Sequence, residues 1–287
     1  MKKRDLMIIA IIYVVAYVIG VIACFSIENT YMKFAIFDIV ATIVTYVFSV
    51  IFKNSSVYDP YWSLTPMIMS IWMFVEAGAF GIWQILFLIV FNIWSMRLTI
   101  NWINVFTGFD YEDWRYRHYR EITPKFFWQI VNFTGIHLFP TIMVLLGMLP
   151  LFSIIEGHVG PLSIIGMLVV LLGTTLEYLA DRSMHEFLAS TNDTPGSRGV
   201  CRMGLWKYSR HPNYLGEILI WVGVYLAMIF YDMEHWYFVI GAVAVAIMFN
   251  VVSIPLMEKR QLSRRPEYAQ YKKETSRLIL LPKARIH

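Results

Sequence analysis

Long apolar runs that lack alternating polar residues are the dominant feature of this chain of 287 residues. A run of about 20 apolar residues crosses the hydrocarbon core of a bilayer as a helix, whereas strands show a period of two. Eight such runs occur, near residues 6–25, 34–52, 62–77, 83–103, 127–152, 162–181, 213–231 and 236–256. The sequence therefore predicts an all-α, polytopic integral membrane bundle of about eight transmembrane helices, or seven if the short third run does not cross.

The basic residues indicate how these runs are oriented, because Lys and Arg collect in cytoplasmic loops. With eight spans, all but two of the 24 Lys and Arg residues lie on one side. The exceptions are Lys33 on the opposite side and Arg97 within a span. Both termini are therefore predicted to be cytoplasmic, and the net charge of +4 needs no nucleic-acid partner.

Cysteine usage predicts neither a disulfide nor a metal site. Cys24 lies in the first run and Cys201 in a cytoplasmic loop, too far apart in this topology to bridge, and they lack metal-ligand spacing. Glu177, Asp181 and His185 share one helical face, but a metal would need further ligands at definite spacing. Hydrogen bonds from this face to a bound nucleotide are the preferred interpretation.

The segment 204–217, which reads GLWKYSRHPNYLGE, precedes the seventh run. Ser209 or His211 can cap a helix that begins at Pro212, because the missing N–H of proline would be unpaired there anyway. Arg210 and His211 then lie beside a helix N-terminus, which also favours an anion. A phosphate group is the predicted ligand of this position.

Asn213 and Glu217 are one helical turn apart, so they share a face that Trp221 extends by one more turn. An acid inside a membrane helix is costly and indicates a functional site by default. An alternative role for Tyr208 and Tyr214 is membership of an aromatic belt at the membrane interface. The nearby basic residues could likewise contact lipid headgroups.

Asp59 marks a second candidate site, in the stretch SSVYDPYWSLTP at the cytoplasmic mouth of the third run. An Asp before Pro60 is an ordinary helix cap and first-turn pair. Beside Tyr61 and Trp62, the same acid can hydrogen-bond a polar group on an apolar ligand. Burial among aromatic side chains raises a carboxyl pKa, as a proton donor would require.

Two further features carry charge. Arg97 has two possible placements: its side chain can snorkel toward the membrane surface, or it can join an inward-facing polar strip. The second interpretation is favoured, because Asn92, Asn101 and Asn104 lie nearby in the sequence and would form that strip. The loop FDYEDWRYRHYRE, which contains Arg115, is predicted to form an amphipathic surface helix.

The C-terminal tail after the last run is basic and amphipathic. Lipid headgroup binding is one interpretation. The other is closure over an anionic cofactor by Tyr268, Tyr271, Arg260, Arg264 and Arg265.

These motifs together resemble the steroid 5-alpha-reductase family, most closely its bacterial branch. The resemblance rests on GLWKYSRHPNYLGE, on E-x-x-x-D at Glu177 and Asp181, and on P-E-Y-x-x-Y in the tail. It covers roughly Ser55 to the C-terminus, which implies N-terminal transmembrane helices over 1–54 and a reductase-like membrane domain over 55–287. It also implies a place in the cytoplasmic (inner) membrane.

The resemblance implies NADPH bound at the cytoplasmic half and a lipidic enone substrate. In an alignment with the family, Asp59 takes the position of the family's acid. If Arg97 is aligned with the family's arginine, Trp94 takes the position of its tyrosine. With Tyr61 and Trp62, these are the expected substrate-side residues. The steroid enzymes' tail arginine, histidine and tyrosine do not carry over, since Ser253, Met257 and Gln261 stand there, so a steroid is not implied.

On the cofactor side, the resemblance places the family's residues on Glu177, Asp181, Asn213 and Glu217. The expected catalytic residues are Asp59 and Glu217. The expected cofactor-binding residues are Arg115, Glu177, Asp181, His185, Arg198, Tyr208, Arg210, His211, Asn213, Tyr214, Arg260 and Tyr268.

Two alternatives remain open. Arg-His-Pro-x-Tyr also resembles isoprenylcysteine carboxyl and phospholipid methyltransferases. Such an enzyme would use S-adenosylmethionine, served by Arg210, His211, Pro212 and Tyr214 together with Glu258. A non-enzymatic membrane protein is the third interpretation. Membrane lipids and a lipidic small molecule are the expected partners, and the sequence predicts no oligomeric state.

Overall fold

The computed structural model describes residues 2–190 and 199–282. The chain consists of two compact units, Met1–Gly157 and His158–His287. The boundary expected at 54–55 lies inside the first unit. Arg198, an expected cofactor-binding residue, lies outside the described residues.

The first unit is built from helices that follow the predicted apolar runs. They are α1 (Lys2–Cys24), α2 (Thr30–Ile51), α3 (Tyr61–Glu76), α4 (Ile82–Val105), α5 (Trp114–Ile122), α6 (Lys125–Val131), α7 (Phe139–Gly147) and α8 (Leu149–Ile155). A π-helical segment, Asn132–Leu138, joins α6 to α7. A short 3₁₀ turn, Ser55–Tyr58, precedes α3.

The second unit contains two long helices followed by a broken one. Its helices are α9 (Ser163–Ser190), α10 (Pro212–Ile229), α11 (Ile240–Ile247), α12 (Ile254–Arg264) and α13 (Tyr268–Glu274). A second π-helical segment, Met248–Ser253, connects α11 to α12.

The prediction of an all-α membrane bundle is confirmed. Within the described ranges, 7 helical segments are long and apolar enough to cross a membrane: Lys2–Cys24, Thr30–Ile51, Ile82–Val105, Lys125–Ile155, Ser163–Ser190, Pro212–Ile229 and Trp236–Arg264. The third predicted run forms α3, which has 16 residues. At 1.5 Å per residue such a helix is about 24 Å long, shorter than the ~30 Å hydrocarbon core.

Glycines hold α9 and α10 together along an antiparallel seam. A Cβ atom on Gly166 would lie 2.4 Å from the carbonyl oxygen of Gly223, and one on Gly173 would lie 2.5 Å from that of Gly216. Only glycine permits this backbone approach, which is typical of helix pairs in membranes. The seam fixes the register that places α9 beside the first turn of α10.

The tail folds back on the segment that leads into α10. The backbone N–H of Arg210 donates to the carbonyl of Ser276 at 2.9 Å, and Oγ of Ser209 donates to that of Leu278 at 2.8 Å. The hydroxyl of Tyr271 donates to the carbonyl of Trp206 at 2.6 Å. Residues 204–217, which we call the motif segment, are therefore held by tail residues that lie 65 and 69 positions later in the sequence.

Candidate functional site

The start of α10 agrees with the prediction at one residue and differs at two. The helix begins at Pro212, as predicted. His211 is the N-cap residue but provides no side-chain cap within the described residues. The hydroxyl of Ser209 accepts from the N–H of His211 at 3.1 Å and donates to the tail. Side-chain capping by either residue was a wrong prediction, because both side chains are used by other contacts.

The two acidic motifs meet across the glycine seam. Glu177 and Glu217 are both buried, and a Cβ atom on Gly216 would lie 2.6 Å from Cγ of Glu177. The indole N–H of Trp221 donates to the Glu217 carboxylate at 3.0 Å, which confirms their shared face. Half-buried Asn213 makes no hydrogen bond from its side chain to any described residue. The arrangement offers carboxylates and an amide at one end of the helix pair.

Arg210 and His211, the expected anion-binding pair, contact an internal acid. Nε of Arg210 donates to Glu258 at 2.8 Å, and its Nη1 donates to the carbonyls of Lys272, at 2.8 Å, and Thr275. Nε2 of His211 lies 3.4 Å from the same carboxylate. Burial lowers the pKa of His211 below its usual value. Glu258 thus joins the motif segment to the tail.

Aromatic rings surround this cluster. Tyr214 stacks between His211 and Phe249, and the ring centroids lie 5.4 and 4.5 Å apart. Phe249 belongs to the second π-helical segment. Tyr268 and Tyr271 are buried against each other at 5.5 Å. Burial raises the pKa of both tyrosines. These tail tyrosines face the motif segment, so closure over a cofactor stays a prediction.

The remaining expected residues of the second unit differ in exposure. Asp181 and Arg260 are half-buried, whereas His185 and Tyr208 are exposed. Among the residues that the structure describes, no group of three His, Cys, Asp or Glu side chains is placed to hold a metal ion. Cys24 and Cys201 are both free and buried.

Asp59 lies in the first unit, where α5 covers it. Its carboxylate accepts from the hydroxyl of Tyr116 at 2.7 Å, and burial raises its pKa to about 7. The N-cap residue of α3 is Pro60, which provides no side-chain hydrogen bond. The capping role predicted for Asp59 is therefore wrong, since its side chain turns toward α5 instead.

The charged loop forms the predicted surface helix, α5. Arg115 pairs with Asp113 at 2.8 Å and lies over the ring of Tyr116, 5.6 Å from its centroid. Glu112 is buried, however, and accepts from the N–H of Ser55 at 2.8 Å. The loop thus packs against the turn that carries Asp59.

The substrate-side residues on α3 and α4 are partly covered. Trp94 is fully buried against Phe91, with centroids 5.3 Å apart. Trp62 and Arg97 are half-buried. The predicted polar strip is wrong at one position, because Asn104 near the end of α4 is exposed; Asn92 and Asn101 are half-buried.

A buried acid in α2 was missed. Asp38 has 1% of its surface exposed and accepts from the hydroxyl of Tyr61 at 2.7 Å. Three further buried polar residues follow it on one face of α2, namely Thr42, Thr45 and Ser49. This spacing of four, three and four residues inside an apolar run was the signal available in the sequence.

Comparison with known proteins assigns the chain to a family. The family described as "Protein of unknown function (DUF1295)" matches residues 45–275. The chain belongs to this family. The matched region includes Asp59, α9, the motif segment and α13. The description of the family names no reaction, cofactor or substrate.

One curated relative is similar over most of its length. It is the uncharacterised protein C594.04c of Schizosaccharomyces pombe (strain 972 / ATCC 24843). The two are 26% identical over 253 residues, which covers 79% of this chain and 73% of the relative. No solved structure matches the chain.

Proposed function

We propose that this protein is an NADPH-dependent reductase of the steroid 5-alpha-reductase type, in the cytoplasmic membrane. It would saturate a carbon–carbon double bond conjugated to a carbonyl group in a lipidic substrate. The contact of Glu177 with Gly216 carries the proposal, because it brings together the two motifs on which the reductase resemblance rests. Their spatial meeting was not implied by their separation in sequence.

The side chains at the start of α10 suit a nucleotide cofactor. Asn213 offers an amide donor and acceptor that no described residue uses. Glu177, Asp181 and Glu217 offer carboxylates that accept hydrogen bonds from ribose hydroxyls or a carboxamide. Arg210 is tied to Glu258, so we assign it to positioning the motif segment. NADPH, when bound, supplies the hydride.

In the first unit, Asp59 is the proposed proton donor. Hydride addition to the β carbon would place negative charge on the carbonyl oxygen, and a hydrogen bond from protonated Asp59 would stabilise that charge. The α carbon then takes one proton, and the product is the saturated ketone. A general acid works best with a pKa near the operating pH, and burial raises that of Asp59 to about 7.

A methyltransferase is the second candidate, favoured by one specific contact. Glu258 lies 2.8 Å from Arg210 and 3.4 Å from His211. These are the residues that the methyltransferase resemblance would use. In that case S-adenosylmethionine would donate a methyl group to a lipidic or isoprenoid acceptor.

Titration of the purified protein with each cofactor separates the candidates. NADPH should raise the melting temperature of the reductase, because a ligand that binds only the folded state stabilises it. Asn213→Ala should weaken the affinity for NADPH about fivefold to a hundredfold, because the loss of one hydrogen bond to a buried polar partner costs about 1 to 3 kcal/mol. Asn104→Ala, at an exposed position of the first unit, is the control and should bind NADPH as wild type does. Stabilisation by S-adenosylmethionine alone would favour the methyltransferase and overturn the reductase.

A further inference from the structure

A cavity of about 480 Å³ lies in the first unit, at the end where α1 and α3 finish and α2 begins. Ligand sites usually enclose about 300 to 1,000 Å³ and combine apolar walls with a few placed polar groups. Asp59 precedes the other end of α3, and the 16 residues of that helix span about 24 Å. The cavity is therefore separate from the site of Asp59, and the proposed function leaves it unused.

One face of each surrounding helix lines the cavity. Ile68, Trp72 and Glu76 are spaced four residues apart along α3, so they lie on a single helical face. Lys33 and Phe37, also four residues apart, provide the wall from α2. Residues of α1 and of the turn that follows it complete the lining. The cavity is thus built by regular helical spacing in three packed elements.

The charged residues lie at the rim of the cavity and the aromatic residues lie deeper. Lys33 is near the start of α2, and Glu76 is the last residue of α3. Phe37 is fully buried one turn further into α2, and its ring centroid lies 5.1 Å from that of Trp72 and 5.7 Å from that of Tyr17. This polarity matches an amphiphile that inserts its apolar part and leaves its polar group at the membrane surface.

Lys33 and Glu76 form an ion pair across the rim. The ammonium group of Lys33 donates one hydrogen bond to Oε1 of Glu76, and neither side chain has a second hydrogen bond to any described residue. A lysine has three donors and a carboxylate has two accepting oxygens, so two donors and Oε2 can contact a ligand. A zwitterionic phospholipid headgroup complements both charges, whereas Glu76 would repel a purely anionic group and Lys33 a purely cationic one.

We propose that this cavity binds one acyl chain of a zwitterionic phospholipid whose headgroup carries a primary ammonium. The phosphate accepts a hydrogen bond from Lys33, the ammonium donates one to Glu76, and the chain packs against Phe37 and Trp72. A primary ammonium has N–H donors, whereas the quaternary ammonium of a choline headgroup has none. Oε2 of Glu76 therefore distinguishes the two headgroups. The proposal does not rest on the proposed function.

Native mass spectrometry of the detergent-purified protein measures this binding. The protein is titrated separately with phosphatidylethanolamine, phosphatidylcholine and phosphatidylglycerol that carry the same acyl chains. Wild type should bind phosphatidylethanolamine on the order of tenfold more tightly than the other two, because it alone makes both charge-assisted hydrogen bonds. Glu76→Gln leaves Lys33 without a neighbouring carboxylate, so this variant should lose the preference and bind phosphatidylglycerol at least as tightly.

Two matched substitutions test the location. Glu28→Gln removes the same charge from an exposed position in the turn between α1 and α2, outside the cavity lining, and should keep the wild-type preference. Ile68→Trp fills the cavity and should weaken the binding of all three lipids on the order of tenfold. Ile71→Trp makes the same change at an exposed position of α3 outside the lining and should bind as wild type does.

Equal affinity of wild type for phosphatidylethanolamine and either other lipid, or tighter binding of another lipid, would overturn the proposal. The same loss of preference in Glu28→Gln as in Glu76→Gln would also overturn it, because the position of the charge would then not matter. If Ile68→Trp binds the lipids as Ile71→Trp does, the acyl chain lies elsewhere and the proposal is wrong. Glu76→Gln still decides the role of the rim if Ile68→Trp does not fold. None of these measurements uses NADPH or a substrate, so they are independent of the test of the reductase.

Discussion

At the scale of single residues, the sequence was informative about chemistry and poor about partners. Glu217 and Trp221 were placed on one face by helical spacing alone, and the hydrogen bond of 3.0 Å between them follows. The Asp59-Pro60 pair predicts a cap, because Asp-Pro is a common helix start. Its partner is Tyr116, which lies 57 positions later. Local spacing cannot predict a contact that tertiary packing creates.

The environment of Asp59 predicts a pH-dependent stability. Burial raises its pKa to about 7, so the folded protein holds a proton that the unfolded chain has already released. Stability therefore falls as the pH rises from about 4 to about 7. Asn cannot titrate, so Asp59→Asn should gain about 1 to 2 kcal/mol relative to wild type over that range, less than the full shift because Asp59 is only partly covered. Thermal unfolding in detergent at both ends of the range measures this.

Asp110→Asn is the control for that measurement. Asp110 precedes α5 at an exposed position, so its substitution should change stability equally at both ends of the range. A pH-independent difference between Asp59→Asn and wild type would show that the acid is solvated in the folded protein. The same result would weaken its assignment as a proton donor.

At the scale of elements, periodicity located nearly every helix, and the breaks within them came from packing. The runs near 127–152 and 236–256 each appeared continuous in sequence. Both contain a π-helical segment, at Asn132–Leu138 and Met248–Ser253. Side chains of both segments contact neighbouring elements, among them His137 in the first and Phe249 in the second. A π-helical turn contains about one residue more than an α-helical turn. The hydrophobicity of the sequence does not change at such a turn, so these segments were not predictable.

The glycine seam between α9 and α10 gives the element-scale prediction. A Cβ atom on Gly173 would lie 2.5 Å from the carbonyl of Gly216 and 2.8 Å from Ile220. Backbone atoms cannot move aside easily, so Gly173→Ala should separate the helices and lower the free energy of unfolding by about 1 to 3 kcal/mol. NADPH affinity should fall with it, because Glu177 moves away from α10. Thermal unfolding and cofactor titration measure the two effects.

Gly135→Ala is the matched substitution. Gly135 lies in the first π-helical segment, and a Cβ atom there would meet nothing within 4 Å. Alanine favours a helix over glycine by up to about 1 kcal/mol, so this variant should be as stable as wild type or more so. If Gly173→Ala behaves like Gly135→Ala, the close approach of the two helices is not needed for stability.

At the scale of the whole molecule, length and charge give different answers about one helix. By length, α3 with its 16 residues is too short to cross. If it did not cross, the loop containing Arg115 and Arg120 would lie on the opposite side from the N-terminus. The segment containing Arg202 and Arg210 would follow it there. That placement contradicts the collection of basic residues in the cytoplasm. The charge distribution therefore favours a crossing by α3, with local thinning of the bilayer to match its length.

Cysteine labelling in intact cells decides the topology, after Cys24 and Cys201 have been replaced. Phe25 and Phe80 are exposed in the turns after α1 and α3, and Phe126 is exposed at the start of α6. If α3 crosses, a membrane-impermeant maleimide should label Phe25→Cys and Phe80→Cys equally, and Phe126→Cys only after the cells are opened. If α3 does not cross, Phe25→Cys should still be labelled while Phe80→Cys is protected and Phe126→Cys becomes reactive. Because Phe80→Cys and Phe126→Cys respond oppositely, the second pattern would contradict the predicted cytoplasmic location of both termini without relying on a failed reaction.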